Sequence, residues 1–287
     1  MSRQAEPPLP AFSRPAQSRF VAVPPLRLHC LDWPGAGREG LPLLLLHPNR
    51  TNARVWDFVV EHLALPSRVL APDARGHGLS GYPAHGYGYS DYLGDLRRLL
   101  AALDVPRVHV VGAATGGNLA LLLASEAPHL VASVTVVDPG LSLDPAISAA
   151  VREQMVREFR FPSAVEARDR MPFSEHWSEA MKTHYAHHSF RPLADGSVEW
   201  RYHPPGVVET EQLLEAPIWD RLALQCPMLV IRGSRSAVFP RTTMERLCAM
   251  APGARAEEIE ADHRVSQDNP QGLAALIDGF IAPLPAR

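Results

Sequence analysis

Residues 112–117 read Gly112-Ala113-Ala114-Thr115-Gly116-Gly117 and follow directly on a valine-rich run at 107–111. Glycine at this density between a strand pattern and a helix pattern marks a tight strand-to-helix turn. Ala114 at its centre has no heteroatom, so it cannot attack a carbonyl, accept a proton or form an ester. Thr115 carries the nearest hydroxyl. A second cluster, His47-Pro48-Asn49-Arg50, follows the apolar run at 43–46, and its Arg50 is a cation that either anchors an anionic substrate group or stays solvated on its loop. Late in the chain, His263 supplies a side chain that exchanges protons near neutral pH. Asp138, in Val136-Val137-Asp138-Pro139, is a carboxylate that either serves chemistry or caps a turn, since Asp before Pro suits both.

A further group lies at 176–200. His184 and His188 are four residues apart and share a helix face, with His176 and His187 close by in sequence. No acid or cysteine stands beside them at ligand spacing, so no metal site is expected. With Trp177, Tyr185, Phe190 and Trp200 they are expected to line a pocket, where Trp177, His184 and His188 would be substrate contacts, or to pack the segment that carries them.

Positioning these residues requires a particular set of elements. Strands are expected at 19–23 and 26–33, separated by Pro24 and Pro25, then at 43–46, 68–71, 107–111, 131–137, 228–231 and 255–259. The all-apolar run at 43–46 and the valine-rich run at 107–111 predict strands buried on both faces. Helices are expected at 54–63, at 91–103 with Ser90 as its cap, at 116–124, near 242–250 and at 271–281. Between 141 and 217 this alternation gives way to helical segments rich in Met, Arg, His and Trp. Strand–helix alternation interrupted once predicts an α/β domain: a doubly wound, mostly parallel sheet with an inserted helical cap. The core would take 19–140 and 218–287 and the cap 141–217, after a proline-rich leader at 1–18, disordered or strapped over the surface.

The 287 residues include 46% hydrophobic and 21% charged side chains, ordinary for one globular domain. A formal charge of -3 gives no reason to expect nucleic acid or an acidic membrane as a partner, so the expected partner is a small-molecule substrate or ligand. Cys30, Cys226 and Cys248 are too few and too scattered for a disulfide framework or a zinc site. They are expected as buried thiols in a reducing, cytoplasmic setting. No cofactor is expected, and oligomeric state is open.

From about Arg19 onward the chain resembles the α/β-hydrolase superfamily. The features that carry the resemblance occur in order: Leu43-Leu44-Leu45-Leu46-His47, Trp56, Asp73-Ala74-Arg75-Gly76-His77-Gly78-Leu79-Ser80, the turn at 112–117, and Asp262-His263. The resemblance implies that the turn is a nucleophile elbow, whose pattern G-x-S-x-G here reads G-A-A-T-G, with Ala114 in place of the serine. Elbow geometry would aim Thr115 away from the site. His263 takes the general-base position. The usual acid position reads Gly233-Ser234-Arg235-Ser236, so Ser236 stands where a carboxylate is expected; Asp138 sits where other relatives carry it. The backbone N–H groups of Asn49 and Thr115 would form the oxyanion hole, although Pro48 replaces a glycine. The turn is also reminiscent of the His-Gly-Asn turn of haloalkane dehalogenases, which need a carboxylate at the place of Ala114. Asp73, Arg75 and Ser80 are assigned to holding the fold.

Three functions fit this degenerate triad. One is a hydrolase acting on an ester, lactone or carbonyl compound through His263 as general base, without a serine. Another is a cofactor-independent dioxygenase or lyase-type enzyme using the His–Asp pair. The third is a non-catalytic ligand-binding protein on a retired hydrolase scaffold.

Overall fold

A computed structural model describes residues 8–36, 40–141, 143–171, 175–251 and 253–285, with the side chains of Ile147 and Val156 left aside. Most of the expected leader therefore divides in two. Residues 1–7 lie outside the described part, while 8–16 run along the surface, where the Ser13 N–H donates to Glu61 and Arg14 donates to the Ser67 carbonyl. Strand β1 (Gln17–Val23) begins inside the span read as leader.

β1 turns at Pro24 and Pro25 into antiparallel β2 (Leu26–Trp33), followed by β3 (Leu43–Leu46), α1 (Asp57–His62) and β4 (Val69–Pro72). Then come α2 (Tyr89–Ala102), β5 (Val108–Ala113), α3 (Thr115–Glu126) and β6 (Val131–Val137). An insertion holds α4 (Pro145–Arg157), β7 (Arg160–Phe161), α5 (Ala164–Asp169), α6 (Glu179–Ser189), β8 (Phe190–Pro192), β9 (Val198–Trp200) and α7 (Pro204–Leu213). The core resumes with β10 (Met228–Gly233), α8 (Arg241–Cys248), β11 (Arg255–Ile259), α9 (Val265–Asp268) and α10 (Pro270–Ile281). The main sheet runs β1-β2-β4-β3-β5-β6-β10-β11, parallel from β4 onward.

Strand periodicity explains how the sheet gains a core on each face. Leu44, Leu46, Val108 and Val110 enter one apolar cluster with Leu93 and Leu96 of α2 and Leu119 to Leu123 of α3. Their neighbours Leu43, Leu45, Val111 and Ala113 enter the other, with Val59 of α1 and Leu273 and Ile277 of α10. Each such leucine contributes about 1.5–3 kcal/mol by leaving water. That double burial is why β3 is all leucine and why the one polar residue of β5, His109, is buried against Ser133 at 2.7 Å.

Four expectations need correction. The insertion is not purely helical, because β7, β9 and β8 form a small antiparallel sheet. Ser90 does not cap α2. Gly88 does, with its N–H donating to Asp91 Oδ2 at 3.1 Å, because the helix begins two residues earlier than apolar spacing indicates. Strand β5 runs through Gly112 rather than breaking there. Of the cysteines, Cys30 is buried, but Cys226 and Cys248 are partly exposed. Among the described residues no helix is long and apolar enough to cross a membrane.

Candidate functional site

The turn between β5 and α3 holds Ala114 at φ 48° and ψ −118°, a left-handed backbone that L residues avoid. Two glycines make it possible. A Cβ on Gly112 would overlap the Gly116 carbonyl, and a Cβ on Gly116 would overlap the Leu46 carbonyl. The Ala114 N–H donates to Val137 at 3.0 Å, tying the turn to the end of β6. Ala114 thus stands on a strained, over-determined turn at the C-terminal edge of the parallel strands, where ligands of open α/β sheets bind.

One step along that edge, Asp138 is fully buried and also has a positive φ, 46°. Its carboxylate accepts three hydrogen bonds: from His263 Nδ1 at 2.6 Å, from Ser236 Oγ at 2.7 Å and from the Gly233 N–H at 2.9 Å. A buried carboxylate so satisfied is fixed in place. Ser236, at the position expected for the acid, does not orient the histidine itself. It donates to the carboxylate that does. Gly233 matters for a second reason, since a Cβ there would strike the Asp262 carbonyl and push the histidine loop away.

His263 is about a third exposed and lines a cavity of about 380 Å³ together with Ala114 and Thr115. With Nδ1–H donated to Asp138, its Nε2 is the basic nitrogen. The loop is pinned from below, where the Asp262 N–H donates to Asp268 Oδ2 at 2.7 Å. The other oxygen of Asp268 accepts from Trp177 Nε1 at 2.7 Å, which joins the insertion to the histidine loop.

Asn49 and Arg50 also line this cavity. The Asn49 amide donates to Glu211 Oε2 at 2.9 Å and to the Val207 carbonyl at 3.3 Å, both on α7. Its oxygen accepts the Arg50 N–H at 3.1 Å. The turn after β3 is thereby clamped to the insertion, leaving the Asn49 side chain fully engaged. The insertion supplies most of the remaining wall, including Met155, Phe161, Trp200 and Tyr202.

The other residues expected to touch substrate are placed elsewhere. Trp177, His184 and His188 are not among the cavity walls. His184 is buried against α1, donating from Nε2 to Asp57 at 2.8 Å, with Phe12 and Phe58 edge-on to its ring. His188 stands edge-on to His184 with ring centres 4.5 Å apart, and burial pushes its pKa down to about 2. Helical spacing correctly put both on one face, but that face meets the core, not the cavity. Asp73, Arg75 and Ser80 are structural as expected: Asp73 accepts the Ala53 and Leu79 N–H groups, and Arg75 pairs with Asp95. The roles of Ser236 and Glu211 leave no local signal, because each acts on a partner far away in sequence, and Asp268 ties its near neighbour Asp262 to the distant Trp177.

The alpha/beta hydrolase fold family model matches residues 42–270. The chain belongs to this family. A haloalkane dehalogenase of Mesorhizobium japonicum is 33% identical over 48% of this chain, and the match spans 43% of that enzyme, less than half its length. An esterase of Mycobacterium tuberculosis is 29% identical, with 88% of this chain and 86% of that one covered. Among solved structures, an alpha/beta hydrolase from Novosphingobium aromaticivorans superposes with a TM-score of 0.78 at 26% identity, covering 94% of this chain and 99% of that one. The E-2-(acetamidomethylene)succinate hydrolase structure shares the fold, with a TM-score of 0.83 at 23% identity over 93% of this chain and 99% of that one.

Proposed function

We propose that this family member is an enzyme that hydrolyses a small ester, lactone or related carbonyl compound with His263 as general base and no covalent serine intermediate. Ala114 takes the position at which relatives carry the nucleophile, so water must attack directly. His263 Nε2 removes a proton from that water as its oxygen bonds to the carbonyl carbon. The negative charge that develops on the carbonyl oxygen is received by the N–H groups of Asn49 and Thr115. As the intermediate collapses, the bond to the leaving oxygen breaks and the imidazolium returns its proton to that oxygen. Asp138 keeps the imidazole in the tautomer that both transfers require.

The observation that carries this reading is the 2.6 Å hydrogen bond from His263 to a fully buried Asp138, beside a cavity that also contains Ala114. The three donors around that carboxylate hold it, and with it the ring of His263, in one orientation. The esterase that aligns over most of this chain lends the reaction class further support.

The test is turnover of a panel of activated esters and lactones by the wild-type protein, His263→Ala and Asp138→Asn. Loss of at least about 100-fold in both variants is expected, the usual scale for general-base catalysis. Turnover unchanged in His263→Ala would overturn the mechanism. Tight ligand binding with no turnover would favour a ligand-binding protein instead, and oxygen uptake without added cofactor would favour the dioxygenase alternative.

A further inference from the structure

The charges in the cavity wall are unequal in what holds them. Glu211 is engaged by the Asn49 amide, and Arg170 is paired with Glu166 at 2.7 Å. Arg264 lies over the Trp177 ring, 5.7 Å from its centre. Arg50 differs. It is half-buried, lines the same cavity as Ala114 and His263, and no carboxylate among the described residues lies within ion-pair distance of it.

Its backbone is also unusual. Arg50 has φ 63°, a conformation that costs a non-glycine residue about 1 kcal/mol or more. Asn or Gly would occupy it with less strain. The strain is held by two contacts of the Arg50 N–H, to Asn49 Oδ1 at 3.1 Å and to His77 Nε2 at 3.2 Å. Its charge also reaches across the cavity wall, where it acts against the burial that pushes the Tyr202 phenol up. Beyond Tyr202 the wall is aromatic. Trp200 stacks on Tyr202 with ring centres 5.7 Å apart, and Phe161 stands edge-on to Trp200 at 6.3 Å.

We infer that the substrate is a carboxylate-bearing molecule with an aromatic or bulky apolar body, its carboxylate held by Arg50 and its body against Phe161, Trp200 and Tyr202. This deepens the proposed function and rests on it for the identity of the site. The planar guanidinium fork matches a carboxylate with two parallel hydrogen bonds. A phosphate ester fits less well, because one unpaired arginine must serve a dianion in a cavity that also holds the carboxylates of Glu158 and Glu211. Arg50 adjoins Asn49 in the chain, so fixing the carboxylate also fixes the distance from that group to the carbonyl that reacts at His263. A reacting carbonyl a few bonds from a free carboxylate is the expected arrangement.

Binding, rather than turnover, tests this without depending on the chemistry. The probes are 4-phenylbutyrate and its neutral primary amide, titrated by calorimetry into wild type, His263→Ala, Arg50→Lys and Arg50→Asn. The Asn variant suits the left-handed backbone, and its thermal unfolding is recorded beside wild type to show that it folds. The acid is expected to bind about 10- to 100-fold tighter than the amide in both wild type and His263→Ala, as a charge-assisted pair would give. In Arg50→Asn the preference should vanish, and in Arg50→Lys it should survive in part. Equal binding of acid and amide to wild type would overturn the inference. So would a preference kept in folded Arg50→Asn, or failure of either probe to bind. Turnover that persists in His263→Ala overturns the proposed mechanism alone, and leaves the acid preference to be read independently.

Discussion

Ala114 occupies a backbone conformation that costs a non-glycine residue about 1 kcal/mol or more. Here a methyl group is presented, and the His263–Asp138 pair remains in place beside it. A serine side chain at this position needs no backbone movement, because Ala and Ser differ by one atom at Cβ. Ala114→Ser is therefore expected to fold with unchanged stability and to place a hydroxyl next to the His263 base. It should be labelled by a fluorophosphonate serine probe, detected as an added mass on the intact protein. Wild type and the double variant Ala114→Ser with His263→Ala should stay unlabelled. An unlabelled Ala114→Ser protein would show that Nε2 of His263 does not face the elbow.

At the scale of elements, the site depends on close approaches of backbone. The turn at 112–117 fits between β3 and β6 only because Gly116 lets the Leu46 carbonyl come within contact of its α carbon. Gly116→Ala is expected to destabilise the protein by more than about 2 kcal/mol, the scale of core overpacking. Gly196, in the turn between β8 and β9, gives the contrast. Its φ of 84° is strained for alanine, but a Cβ there would meet open space. Gly196→Ala should cost only about 1 kcal/mol, the penalty of the left-handed backbone alone. Urea unfolding of the two variants against wild type distinguishes them. Equal losses would mean that the elbow relaxes around an added methyl group.

The whole molecule buries several histidines in neutral form. Desolvation pushes His77 down to about 3 and His109 down to about 4, and it lowers His47 as well. The ordinary value is 6.5, so the unfolded chain binds protons at these sites before the folded one does. Their stabilisation is complete above pH 6.5 and declines as pH falls toward the folded values, by up to about 1.4 kcal/mol per pH unit for each group. The urea midpoint is expected to fall between pH 6.5 and pH 5.5, before most carboxylates of ordinary value titrate. A midpoint flat across that interval would show that these rings take up protons as readily in the folded protein as in the unfolded chain.

Local pattern determined the scaffold of this protein. The unbroken apolar run at β3 specifies a strand covered on both faces, because no exposed face tolerates four leucines in succession, and β5 interrupts its valines only with His109. Order and spacing of the glycine turns then specify the elbow, and with it the place of Ala114. Position in the chain was also sufficient for His263, since one residue type at one turn is enough. Tertiary structure alone decided which charged groups meet at the site. Asp138 is separated from His263 by 125 residues and from Ser236 by 98, and the 2.6 Å and 2.7 Å contacts exist only because β6 and β10 are neighbours in the sheet. The same holds for His184, whose helical face is legible in sequence while its partner Asp57, 127 residues earlier, is not. Periodicity reports which side of an element is apolar or polar. It carries no information about which other element that side will meet, and that meeting is what separates a cavity wall from a core contact.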